Sequence, residues 1–158
     1  MQGVELVIEL LKHQEIHSLQ KFINTYWSKG HIFSADKSIF DWQYKESSEY
    51  FCMSAKQGKE LIGIQGFIPQ CHFDKNLPYD QIFLALWIAR EKCGIGIGLQ
   101  CYNQIIKSYS PKFLAAVGIN PKAIPFHLWQ KFKVGIMEHH VALSPRVKKF
   151  KIAVVPSD

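Results

Sequence analysis

The sequence lacks any apolar run approaching the roughly 20 residues needed to cross a bilayer. Its first residues, Met1-Gln2-Gly3-Val4-Glu5, carry no basic segment followed by an apolar one, so no secretory signal is expected. Cysteine is scarce: Cys52, Cys71, Cys93 and Cys101 form no C-x-x-C pair and do not cluster with histidine. Reduced thiols in a cytoplasmic protein are expected, and no metal site. His139 and His140 fall on an apparent strand, where neighbours point to opposite faces, so they are poorly placed to share a metal. There is no repeat, no low-complexity stretch and no Gly/Ser/Pro linker, which predicts one domain over residues 1–158. Acidic residues are the scarcer charge, 13 against 19 Lys plus Arg, for a net charge of +6. That surplus favours a polyanionic partner without choosing among nucleic acid, membrane surface and phosphate-rich small molecule.

What is present is an alternation of apolar segments. Val4 to Leu10 reads as a strand. In the helix that follows, Ile16, Leu19, Ile23 and Tyr26 recur at three- and four-residue spacing, with Phe22 and Trp27 widening the face. Lys29-Gly30 ends it, and Ser34-Ala35-Asp36 starts a short helix carrying Ile39, Phe40 and Trp42. Tyr50 to Ala55 and Leu61 to Phe73 read as a hairpin around Gln57-Gly58-Lys59. Gly63 and Gly66 in its second strand predict a bulge or a close backbone approach. Gln81 to Ala89 is apolar nearly throughout, as in a strand covered on both faces. A Gly-rich turn follows, then a helix with Cys101, Tyr102, Ile105 and Ile106, then a strand from Phe113 to Ile119. Asn120-Pro121 starts a helix running to about Lys131, and Val134 to Leu143 makes a last strand. The order is that of an α/β chain with an antiparallel first half.

The most informative stretch is strand, Gly-rich turn, helix: Leu86 to Ala89, then Cys93-Gly94-Ile95-Gly96-Ile97-Gly98. At such a junction the backbone N–H groups of the first helical turn have no internal partner and converge with the helix dipole on one point. That suits a pyrophosphate. A Walker loop is excluded because Gly-Lys-Ser/Thr is missing. A dinucleotide fingerprint is excluded because Leu99 or Cys101 stands where its third glycine belongs.

This stretch resembles the GCN5-related N-acetyltransferases, in which a strand leads into a Gly-x-Gly that opens a helix. Gly96-Ile97-Gly98 is the helix-opening pair, Ile88 matches a strand-end Val, and Cys93 departs from the usual Arg or Gln. Arg90 and Lys92 are candidates for the missing charge. Downstream, Asn120, Ala123 and Phe132 match the family's second motif, while His127 replaces its Tyr and Lys131 its Gly. The resemblance covers Val4 to Leu143 and implies a central mixed, mostly antiparallel sheet flanked by helices.

It implies an acetyl-CoA-dependent N-acetyltransferase that passes the acetyl group directly to a small-molecule primary amine, with an amino sugar, free or nucleotide-linked, as the favoured acceptor. A peptide or protein amine, or CoA binding without turnover, are the alternatives. The cofactor arm would pair with Trp87, Ile88 and Ala89, and the pyrophosphate would lie on Cys93, Gly94, Ile95, Gly96, Ile97, Gly98 and Leu99. Asn120 would contact the arm, and the Ile88 amide would face the oxyanion. His127 would protonate the leaving thiolate. Asp41, Trp42 and Tyr44 would wall the acceptor site, and His72 and Asp74 are candidate bases by position. The basic run Arg146 to Lys151 reads as a solvated strand edge that could instead hold a phosphate. No nucleic acid is expected as partner, since no helix carries a basic stripe; a homodimer is compatible with the resemblance.

Overall fold

A computed structural model of the chain describes residues 5–91, 93 and 96–138. The chain divides between Gly118 and Ile119 into two compact units.

In the first unit β1 (Leu6–Lys12) leads through a 3-10 turn to α1 (Ile16–Tyr26), then α2 (Ile32–Ala35) and α3 (Lys37–Tyr44). The two-residue β2 (Lys45–Glu46) precedes β3 (Glu49–Gln57), β4 (Glu60–Pro69), β5 (Gln81–Ala89), α4 (Ile97–Tyr109) and β6 (Phe113–Ala116). The strands form one sheet in the order β1-β3-β4-β5-β6, with β2 on the start of β3. All pairings are antiparallel except β5 with β6. This is the mixed, mostly antiparallel sheet that the resemblance implies.

Local chemistry accounts for the helices. Ile16, Leu19, Phe22 and Ile23 form the buried stripe of α1. The expected stripe is trimmed at its end: Tyr26 and Trp27 are about half exposed, Tyr26 beneath the Arg90 guanidinium and Trp27 packed at a tilt against His31. Asp36 caps α3, accepting from the Ser38 amide at 2.8 Å and the Ser38 hydroxyl at 2.6 Å. That helix buries Phe40 and Tyr44 completely.

The helices cover both faces of the sheet. A Cβ on Gly66 would lie 3.1 Å from the Tyr44 ring, so α3 rests directly on β4 there. The neighbouring Phe67 meets Tyr109 of α4 at 4.8 Å between ring centroids. Adjacent strand residues point to opposite faces, so α3 and α4 lie on opposite sides. Both expected glycines are places of close approach, Gly63 against Ile97 of α4 and Gly66 against Leu86 and Tyr44. The extra residue of the bulge, however, belongs to β5. Gln65 faces Trp87 and Gly66 faces Ala85, which leaves Leu86 unmatched with φ at +46°.

Other segments are shorter than expected. β4 stops at Pro69, and Gln70–His72 is a 3-10 turn. β6 stops at Ala116, before the positive φ of Gly118. In the second unit, Asn120 caps a 3-10 turn (Pro121–Ala123) by accepting from the Lys122 amide at 3.0 Å, and α5 spans Ile124–Trp129. Pro125 therefore sits in the first turn of a restarted helix, where its missing N–H costs little. The predicted strand from Val134 to Leu143 is corrected over residues 134–138, which form no strand; the remainder lies outside the described residues.

Lys131 ends the α5 segment with φ at +63°, and the Phe132 amide donates to His127 O at 3.0 Å. A left-handed backbone favours glycine, the residue that Lys131 replaces in the resemblance. Lys131→Gly should raise stability by roughly 0.5–1 kcal/mol. Urea denaturation measures this, and an unchanged or lower midpoint would contradict it.

Candidate active site

The bulge divides β5 into two parts. Before it, Gln81 to Leu84 pair with Phe113 to Ala116 of β6. After it, β5 continues to Ala89 along β4 while β6 has ended. The hydrogen-bond parity of this second part can be read from its end. The Arg90 amide donates to Ile62 O, directly across from it, at 2.9 Å. Antiparallel ladders alternate, so Ile88 also exchanges its hydrogen bonds with β4, at Ile64. The backbone groups of Trp87 and Ala89 then point away from β4, to the side that β6 has left. The expected oxyanion donor, the Ile88 amide, is therefore turned into the sheet.

Beyond Ala89 the chain turns to α4. Gly96 precedes the helix with φ at +91°, and the first intrahelical bond runs from the Gln100 amide to Gly96 O at 2.8 Å. The N–H groups of Ile97, Gly98 and Leu99 are thus first-turn donors. Among the described residues, a Cβ on Gly96 would meet nothing within 4 Å. Gly98 is different: a Cβ there would lie 2.3 Å from Trp87 Nε1, so its missing side chain makes room for the indole. The Cys93 amide is directed to Arg90 O at 3.3 Å, which removes it from the expected anion cradle. Arg90 itself pairs with Glu60 and lies 5.2 Å from the Tyr26 ring centroid. Gly94, Ile95 and Lys92 lie outside the described residues, as does the run from Arg146 to Lys151.

The structure separates the three residues expected to wall the acceptor site. Tyr44 is fully buried among Phe33 and Phe40, and its hydroxyl accepts from Gln43 Nε2 at 2.9 Å. It is a core residue and offers no stacking face. Asp41 accepts from the Tyr50 hydroxyl at 2.6 Å through one oxygen and pairs with Lys37 through the other. It braces α3 against β3, so both its oxygens serve the fold. Trp42 alone is exposed, at 67%, with its ring 5.0 Å from that of Phe73.

The candidate bases also part. Asp74 accepts from the Asn76 amide and side chain in an exposed turn. His72 is more enclosed, with Nε2 3.4 Å from Trp42 O, and its ring is packed on Phe51 and Phe73. Its Nδ1 is buried 3.7 Å from Glu46 Oε2, beyond hydrogen-bond reach. Sequence reasoning passed over Glu46, Phe73 and Gln65. Only Gln65 left a signal, as a polar side chain within an apolar strand.

In the second unit His127 is buried, with Phe126 and Phe132 each at 5.4 Å between ring centroids. That burial pulls its pKa below the ordinary histidine value, so the ring is mostly neutral near pH 7. The side chain of Asn120 caps the turn that follows it. Among the described residues no group of three or more His, Cys, Asp or Glu side chains could hold a metal, and no helix is long and apolar enough to cross a membrane.

No family model and no curated protein matches the sequence. Solved structures do. An aminoglycoside acetyltransferase from an uncultured soil metagenomic sample is similar with a TM-score of 0.63 and 10% identity, over 89% of this chain and 99% of that one. The aminoglycoside N-acetyltransferase AAC(6')-Iy in complex with CoA gives 0.58 at 14% identity, over 92% and 98%. An acetyltransferase from Pyrococcus horikoshii gives 0.61 at 14% identity over 84% of this chain, which spans only 44% of that longer protein. The fold is that of the GCN5-related N-acetyltransferases.

The placement of Asp41 has a measurable consequence. Burial alone would raise its pKa, but Lys37 and Tyr50 outweigh it and hold the carboxyl below the usual range. The stabilisation is present above the unfolded aspartate pKa of about 3.9 and is lost as pH falls through the lower folded value. Asp41→Ala should cost about 1–3 kcal/mol at pH 7, less below pH 4, whereas Trp42→Ala should change stability little. Thermal unfolding against pH measures both. Equal losses at the two positions would contradict the assignment.

Proposed function

We propose that this chain, with the fold of the GCN5-related N-acetyltransferases, transfers an acetyl group from acetyl-CoA to a primary amine of a small molecule. The observation that carries the reading is the end of β6 at the β5 bulge, just before a strand-to-helix turn with outward first-turn amides. These groups fit the cofactor chemically: a strand edge suits the amide-bearing pantetheine arm, and helix N–H groups suit a pyrophosphate. Acetyl-CoA, when bound, supplies the acetyl group and a thiolate leaving group.

The chain's own groups then have separate tasks. The backbone of Trp87 and Ala89 orients the arm by strand-like hydrogen bonds. The amides of Ile97, Gly98 and Leu99 hold phosphate oxygens through dipoles, beside the turn at Gly96. An amide on the same β5 edge replaces Ile88 as donor to the developing oxyanion. Asn120 contacts the cofactor arm, as the resemblance implies. The acceptor amine must enter neutral, because an ammonium has no lone pair to attack with. Trp42 offers a flat exposed face suited to stacking on an amino-sugar ring. Two neighbours named as aminoglycoside acetyltransferases support that acceptor class.

Acetyl-CoA should raise the melting temperature; at a hundredfold excess over Kd the stabilisation is about 2.7 kcal/mol. Thiol release across a panel of amino sugars, diamines and peptides then separates turnover from binding. No shift at millimolar acetyl-CoA would sink the reading.

His127 is the proposed donor to the leaving thiolate. Its imidazole N–H can donate in the neutral form, with the imidazolium adding to this at lower pH. His127→Ala should lower kcat roughly 100-fold or more and leave the Kd of acetyl-CoA unchanged, with partial recovery in His127→Tyr. Full turnover in the alanine variant with an unaltered pH profile would remove the role.

A further inference from the structure

Gln65 is a polar side chain within the apolar run of β4, only 2% exposed. It stands at the step where β4 meets the extra residue of β5. Its Nε2 donates to Ala85 O at 2.8 Å and to Gly66 O at 3.1 Å. The Ala85 carbonyl comes just before the unmatched Leu86, and Gly66 is its partner across the ladder. A primary amide has two N–H donors, and here both are used on the two strands that the bulge forces out of step. Gln65 also pairs in register with Trp87, whose indole fills the space over Gly98 at the start of α4.

We infer that Gln65 is a positioning residue: its side-chain amide clamps the β5 bulge and, through Trp87, sets the part of β5 after the bulge at the correct distance from the first turn of α4. This rests on the acetyl-transfer reading, since it is the cofactor arm and its phosphates that need those two features in fixed relation. The physical requirement is general. A bulge rotates carbonyls out of the ladder, and a buried carbonyl without a donor is costly, so an unclamped bulge can close by sliding one residue. Such a slip turns the neighbouring side chains to the other face and exchanges the amides that point outward. Hydrophobic packing at this position could fill the volume but could not hold the carbonyls. Gln65 touches no reacting atom, so its effect is on where the edge lies.

The test uses the whole chain and three measurements. In the ligand-free wild type, the Gln65 side-chain amide protons should exchange slowly in ¹⁵N-resolved spectra; exchange at the rate of solvent-exposed amides would overturn the inference without any variant. Gln65→Met keeps the volume and removes both donors. Backbone amide resonances from Ala85 to Ala89 should shift while those of β1 stay in place. kcat/KM for acetyl-CoA should fall about tenfold to a hundredfold at temperatures well below melting. Gln65→Glu separates clamping from general stability. Ionised, its carboxylate repels both carbonyls; protonated, it regains one O–H donor, so its activity relative to wild type should rise as pH falls. Wild-type kinetics and unshifted β5 resonances in both variants would overturn the inference and leave the acetyl-transfer reading intact. Absence of acetyl-CoA turnover in the wild type would remove that reading and leave the exchange and resonance results to judge the clamp.

Discussion

An antiparallel ladder lets two strands advance only one residue for one, and β5 breaks that rule once, at Leu86. The extra residue has to be accommodated by β4, which does so in two ways. Gly66 supplies space, since a Cβ there would meet Leu86, Tyr44 and the Ala85 carbonyl at 3.1–3.3 Å. Gln65 supplies hydrogen-bond donors to the displaced carbonyls. The consequence propagates outward. Before the bulge β5 pairs with the parallel β6 as well as with β4; after it, among the strands of the described residues, β5 pairs with β4, and the backbone groups of Trp87 and Ala89 point away from β4. The strand continues just far enough for the chain to turn and start α4 with its amides outward.

The positive charge of the chain plays a smaller part in this site than its size suggests. Arg90, the basic residue at the end of β5, is paired with Glu60 and lies over Tyr26. Cys93, where the GCN5-related N-acetyltransferases usually have Arg or Gln, directs its amide back to Arg90 O. Among the described residues, the proposed anion binding would therefore rest on the helix terminus, where oriented peptide dipoles act without the flexibility of a long side chain. Gly98 serves that arrangement indirectly. Its missing Cβ lets Trp87 lie against the helix start, which locks strand and helix together beside the turn.

The larger features were legible in the sequence because local rules govern them. The stripe of α1, the Asp36 cap, the β3–β4 hairpin and the Asn120 cap each depend on a few neighbouring residues. Residue roles at the site were less legible. Asp41, Trp42 and Tyr44 are nearly adjacent on one short helix, and sequence alone assigned all three to the acceptor. Their helical phase sends Tyr44 into the core and Trp42 to solvent, and leaves Asp41 to Tyr50 and Lys37. Ile88 failed for a similar reason. Which amide faces outward depends on ladder parity, and the bulge resets that parity.

By itself the sequence determined the order of the main elements up to α5, the Gly-rich strand-to-helix turn and the departures at Cys93, His127 and Lys131. Periodicity, caps and glycines act over a few residues and need no knowledge of what packs where. Only the tertiary structure decided which strand carries the extra residue, which β5 amides point away from β4 and which aromatic of α3 remains exposed. Those outcomes depend on register across strands and on the packing of α3 and α4 against opposite faces. Residues distant along the chain set both.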